Sequence, residues 1–414
     1  MLLPRFSFGV GDRFGREGVA QLRAFVRMKE LGVDVAPVWN KSNREHGIVH
    51  TKPESLRAEA DDAVHSLAWH DRYFVDADHV GRSTVDPFIA ACDFFTLDVA
   101  DFVGNPAPDP LIDDFVDRYS RYAGSLTITG IDGPVPVFSR DIAGIARKYL
   151  LAVKEAGAIY RRVEAAKGRD RFVTEVSMDE TDSPQTPTEL LFILAAIADE
   201  QIPAQTIAPK FTGRFNKGVD YAGDIAQFDK EFNDDLAVIA YAIREFGLEP
   251  NLKLSVHSGS DKFSIFGPIA RAIKERHAGV HVKTSGTTWL EEAAGLALGG
   301  GDGLRLAKDI YRGAYSRREE LCLPYAAVID IDPARLPEPE VVQSWTGAEF
   351  ASALRHDQAC RAYNKDFRQL VHVGYKVAAE MGQEYNGALE AHAQTIAPLV
   401  TENILEKHLM PLFS

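Results

Sequence analysis

The residues best suited to chemistry in this chain stand at the ends of short apolar runs. Asp76, Asp78 and His79 close "FVDADH", Asp98 closes "FFTLD", and Glu175 with Asp179 and Glu180 closes "VTEVSMDE". His257 closes "LKLSVH", and Lys283 and Thr284 close "VHVKT". Asp12 and Arg13 follow "FGVG", Asn40 and Lys41 follow "APVW", and Lys210 and Arg214 follow "QTIAP". Carboxylates with imidazoles form an oxygen and nitrogen donor set suited to a divalent ion such as Zn²⁺, Mn²⁺ or Ni²⁺. Lysines and arginines among them suit a small anionic substrate.

Glu175 and His257 lead the ligand candidates, followed by His79 and His281. Each also has a plainer role open to it, because a histidine at a strand end is more often a hydrogen-bonded structural residue. His257 stands apart because the polar knot Ser258–Gly259–Ser260–Asp261–Lys262 follows it directly. His281 lies lower in its strand and could orient a ligand from behind, while Glu180 is equally suited to capping the next helix. Lys210 and Lys283 could pair with carboxylates, hold an anionic substrate, or form a Schiff base with a ketone as a metal-free aldolase does. Arg214 and Lys262 are further candidates for the same anion.

These positions need a scaffold that gathers strand ends, and the pattern supplies one. Short β-like runs alternate with helix-like segments from the first residues to about residue 300, giving eight strand–helix units. Such alternation predicts a parallel sheet, and eight units predict a closed (β/α)8 barrel whose site lies at the C-terminal strand ends. Residues two apart share a face, so Asp76 with Asp78, Glu175 with Ser177, Ser255 with His257 and His281 with Lys283 point together into the barrel. The stretch of about 124–168 interrupts the alternation and reads as an insertion between the fourth and fifth strands. Residues 301–414 carry helical spacing and read as an extension packed on a barrel of residues 1–300. A dinucleotide fold is disfavoured: "GVGDRFG" lacks the G-x-G-x-x-G spacing, and no acidic residue closes the next strand.

A net charge of −14 over 414 residues disfavours nucleic acid and anionic membranes as partners, since phosphate binding needs a basic face. No run approaches the roughly 20 apolar residues of a membrane span. "MLLPRFSFGV" reads as a first strand without signal-peptide features. Three scattered cysteines fit reduced thiols, so a cytoplasmic protein is expected, with a homo-oligomer left open.

Segments in order along nearly the whole chain carry a resemblance: "FGVGDRFGREGVAQLRA", "DADH", "EVSMDET", "KFTGRFNKGVDYAGD", "SVHSGSDKFSIFGPIA", "HVKTSGTTWLEE", "HVGYKVAAEMG" and "VTENILEKHLMPLF". Together they resemble the tagaturonate/fructuronate epimerase family. The resemblance implies a barrel, a divalent metal, and epimerisation of a sugar acid in bacterial hexuronate breakdown. The two sugar acids differ at the carbon β to the ketone, whose hydrogen is not acidic, so retro-aldol cleavage and re-addition is the expected route. On that expectation Glu175, His257, His79 and His281 hold the metal, and Asp98, Asp76 and Lys283 are the catalytic candidates. Asn40, Lys210, Arg214, Ser258, Lys262 and Thr284 are the substrate-binding ones. Two alternatives stand beside it: an aldolase or ketose epimerase acting on another sugar, and a non-catalytic barrel that binds sugar acids.

Overall fold

The computed structural model describes every residue except 285. Eight parallel strands close a barrel: β1 (Phe6–Val10), β2 (Ala36–Ser42), β3 (Phe74–Val80), β4 (Phe94–Asp98), β7 (Val173–Ser177), β8 (Ala204–Ala208), β9 (Lys253–Val256) and β10 (Val280–Lys283). The closing contact pairs β1 with β10, Gly9 lying opposite Lys283. Between β4 and β7 the antiparallel hairpin of β5 (Gly124–Leu126) and β6 (Val135–Val137) forms a separate sheet. The 29-residue helix Ser139–Lys167 follows and lies along β4 and the helix Pro187–Asp199.

The alternation within each strand divides apolar from polar. In β3, Val75 and Ala77 are fully buried towards the outer helices, where they join the main core. The opposite face stacks in layers up the barrel axis. At the foot, Leu3, Ala36, Val38, Phe74, Phe94 and Val173 form a small apolar cluster separate from the main core. One step higher, register places Asn40 opposite Asp76 and Thr96 opposite Glu175. The apolar plug keeps water out below, so the polar residues above it must satisfy one another or face the mouth.

Helices from Gly301–Ser316 onward form the C-terminal extension. It is tied to the barrel by buried polar groups: Arg368 donates to the Gly218 and Leu354 carbonyls and reaches Asp261 at 2.9 Å. His408 Nε2 accepts the Asp261 amide at 3.0 Å, and Trp289 Nε1 donates to the Val371 carbonyl at 3.0 Å. The extension therefore holds the β9 loop from above. No helix among the described residues is long and apolar enough to cross a membrane.

Candidate metal and active site

Three strand-end loops converge on one point. His79, the penultimate residue of β3, has a left-handed backbone (φ 53°), which turns its ring towards the mouth although the strand alternation would send it outward. His257 stands directly after β9, and Asp179 lies two residues past the end of β7. One ligand atom from each of His79, Asp179 and His257 falls within 4.8 Å of the other two. His257 Nδ1 is 2.9 Å from Asp179 Oδ1, and His79 Nε2 is 3.5 Å from the same oxygen.

The opposite ring nitrogens are each held by a carboxylate. His79 Nδ1 meets Asp78 Oδ1 at 2.9 Å, and His257 Nε2 meets Glu175 Oε1 at 2.7 Å. Such a partner fixes the ring's orientation and raises its basicity as a ligand. Beneath both, the Lys283 ammonium lies 2.6 Å from Asp76, 2.6 Å from Asp78 and 3.3 Å from Glu175. Thr96 Oγ1 lies 3.1 Å from both Asp76 and Glu175. One lysine thus ties the two carboxylates that orient the two imidazoles.

The charges fit a divalent cation. Asp76, Asp78 and Glu175 are buried and Asp179 half-buried, against a single fixed cation, Lys283. Burial opposes charge on His257, but Asp179 and Glu175 outweigh it and hold the ring at about 9. Without a metal the imidazoles carry the balancing protons; a metal replaces them. His79 Nε2, facing the trio, has no hydrogen-bond partner among the described residues. His79, Asp179 and His257 therefore could hold a divalent ion and leave further positions open for a substrate.

The trio opens into a cavity of about 270 Å³, which adjoins a larger one of about 550 Å³; Asp179, His257 and Ser258 line both. Asn40, Asp98, Lys283 and Thr284 line the smaller one. Asn40 is buried with Oδ1 unpaired among the described residues, Thr284 Oγ1 donates to the Gly9 carbonyl at 2.7 Å, and Ser258 is left-handed (φ 50°). Gly259 behind it permits a close approach: a Cβ there would stand 2.5 Å from Val282 Cγ1. Asp98 accepts the Ala100 amide at 3.1 Å, and burial raises its carboxyl above the ordinary range. Lys210 and Arg214 line only the larger cavity; Lys210 donates to the Thr181 carbonyl, and Arg214 lies 3.7 Å from Asp330.

Other residues singled out in the sequence lie deeper. Asp76 forms the floor, raised to about 7 by burial against the pull of Lys283. Glu175 touches His257 from behind and is not one of the three converging groups. His281 is lower still, with Nδ1 2.9 Å from Ser7 Oγ and its ring against Phe94. Lys262 is fully buried, donating to the carbonyls of Asn216, Val219 and Ser260 at 2.7–2.8 Å. It fastens the β8 loop to the β9 loop. Sequence reasoning did not nominate Asp179 as a ligand, although it continues the inward face of Ser177. It also passed over Arg44, Lys217 and Tyr325, which line both cavities.

The sequence profile of the tagaturonate epimerase family matches residues 2–392. The chain belongs to that family. It is similar to the tagaturonate/fructuronate epimerase of Thermotoga maritima, 28% identical over 385 residues, covering 90% of this chain and 73% of that protein. Its fold is that of the fructuronate-tagaturonate epimerase of Cohnella laeviribosi. The glycerol-bound crystal structure of that protein superposes with a TM-score of 0.80 at 23% identity, over 98% of this chain and 81% of the other. The native form gives 0.78 over the same shares. The eight-stranded barrel and its helical extension are thus shared by this family member and the Cohnella protein.

Proposed function

We propose that this chain interconverts D-tagaturonate and D-fructuronate, with His79, Asp179 and His257 as the metal ligands. The observation that carries this reading is the pair of imidazoles facing one carboxylate, each oriented from behind by Asp78 or Glu175, in a chain of this family. A divalent ion held there supplies Lewis-acid polarisation of the ketone and its neighbouring hydroxyl. Asp98, on the same cavity wall, takes the proton from the β-hydroxyl, a role that its burial-raised carboxyl suits. The bond between the α and β carbons then breaks, its electron pair moving towards the ketone end while the β carbon becomes an aldehyde. After the aldehyde rotates, the pair adds to its other face and Asp98 returns the proton to the new alkoxide. Asn40 and Ser258 line the cavity where they can receive sugar hydroxyls.

A Schiff-base route finds no support at Lys283. Three carboxylates outweigh the burial that opposes its charge, so its pKa stands well above the ordinary lysine value and it is no nucleophile. The test is metal-reconstituted protein incubated with tagaturonate in D₂O and followed by NMR. Fructuronate formed without deuterium at the inverted carbon, and activity lost in chelator, are expected. Deuterium wash-in there would defeat the cleavage mechanism, and turnover undiminished by metal removal would defeat the metal site.

A further inference from the structure

Around Tyr325, in the C-terminal extension, three cations gather. The Arg44 guanidinium lies 4.9 Å from the ring centroid, the Lys376 ammonium 5.5 Å and the Lys217 ammonium 6.0 Å. None of these three side chains makes a hydrogen bond or ion pair among the described residues, whereas Arg13, beside them, is engaged by Glu45 and the His372 carbonyl. The ring itself is fixed: Tyr325 is buried and its hydroxyl shares a 2.8 Å hydrogen bond with Tyr375. Lys217 is held at its backbone on both sides, its amide donating to the Val328 carbonyl at 2.8 Å and its carbonyl accepting from Gln369 at 3.1 Å. Arg44 stands in the first turn of the helix Asn43–Val49, started by the Ser42–Glu45 capping box.

Like charges crowded around one aromatic ring repel, and an anion between them removes that cost. Glu180 lies across the same cavities and faces Arg44, yet it makes no ion pair with it. Arg44, Lys217 and Tyr325 line both cavities together with Asp179 and His257, so one small ligand can touch the cations and the metal trio at once. In a six-carbon keto acid the ketone and the carboxylate sit towards opposite ends of the chain.

We propose that Arg44 and Lys217, seated on Tyr325, bind the carboxylate of the sugar acid and set the preference for an acid over a neutral ketose. This rests on the reading of the substrate as a ketohexuronate. The extension then does more than cover the barrel: through Tyr325 it supplies the platform of the acid-specific end.

The experiment uses full-length, metal-loaded protein and the variants R44Q, K217Q and R44K. Turnover is measured with tagaturonate and with the neutral ketohexose that carries CH₂OH in place of the carboxylate. R44Q and K217Q are each expected to lower the ratio of kcat/KM for acid over neutral sugar by about ten- to hundred-fold, mostly through KM. R44K is expected to recover part of it, and metal content is expected to stay at the wild-type level. Equal losses on both sugars, or unchanged KM for the acid in both glutamine variants, would overturn the assignment. If the wild type turns over neither sugar, the functional reading falls and calorimetry with a hexonate decides the clamp separately. Wild-type binding that is lost in R44Q and K217Q supports it, and absent or equal binding refutes it.

Discussion

Asp76, Asp78 and Glu175 at the barrel mouth are as deeply buried as the carboxylates of Asp12, Glu17 and Glu292 behind the first loop, yet the two groups are treated in opposite ways. At the mouth, Lys283 contacts three carboxylates and His79 and His257 contact two of these again. Behind the loop, Asp12, Glu17, Glu59 and Glu292 have no ion-pair partner among the described residues. Asp12 is satisfied by the backbone amides of residues 14 to 17, and Glu292 accepts from Tyr385 at 3.1 Å. Both Glu59 oxygens are buried without a hydrogen-bond partner among the described residues. Burial foremost, with Asp12 next, raises Glu17 to about 8 and Glu59 and Glu292 well above the ordinary range. Burial thus raises carboxyls that have no ion-paired cation beside them, while Lys283 and the imidazoles hold Asp78 and Glu175 below the ordinary range. The mouth keeps Asp78 and Glu175 as charges that can orient ligands, whereas Glu17, Glu59 and Glu292 behind the loop are pushed towards their protonated forms.

Removing the cation should therefore make the mouth resemble the other cluster. Lys283→Met leaves three buried carboxylates uncompensated and both imidazoles without firm anchors. Destabilisation of about 3–5 kcal/mol in denaturant unfolding is expected, with turnover down at least about a hundredfold. Asp76→Asn added to Lys283→Met should restore part of the stability, since it deletes one of the stranded charges. A Lys283→Met protein of wild-type stability would show that the pairing is not what holds the charges.

A narrower change separates holding a ligand from being one. Asp179→Asn should abolish tight metal binding, whereas Glu175→Gln should weaken it only about ten- to hundred-fold, because Glu175 acts on the His257 ring from behind. Competition against a chromophoric chelator measures both. Equal loss in the two variants would make Glu175 a ligand, as its place on the inward strand face suggests.

The strand pattern makes the barrel legible, because a period of two in eight apolar runs, each followed by helical spacing, is matched by few folds. It also shows that Asp76, Asp78, Glu175 and His257 share an inward face. It cannot show what each group touches. His79 should point outward by alternation, and only its left-handed backbone brings it to the site. Lys262 sits in a polar loop that suggests substrate contact, yet its ammonium is buried among three carbonyls. Loops that leave a strand through left-handed residues such as Ser258 and Asp261 redirect side chains in ways no periodicity records. Tyr325 lies in the extension, far along the chain from Arg44 and Lys217, and nothing in its local sequence marks it for the cavity wall.

The smallest effect tests the cluster behind the first loop. Glu17 is raised to about 8 in the folded protein, while an unfolded chain ionises it near 4.5. Below 4.5 both states hold the proton and its burial carries no pH-dependent cost. Between 4.5 and 8 the unfolded state releases the proton and the folded state keeps it, so stability falls as pH rises, by at most about 1.4 kcal/mol per pH unit. Glu17→Gln removes this slope. Its Tm should match the wild type near pH 4.5 and exceed it increasingly towards pH 8, a gain on the order of a few degrees. The charged and titratable groups around it, Asp12, Glu59, Glu292, Arg23 and Tyr385, remain, so the rest of the pH profile should keep its shape. A Tm difference independent of pH would mean that Glu17 is ionised in the folded state. The cluster would then need a compensating cation, with Arg23, which acts on Glu17 directly, as the first candidate.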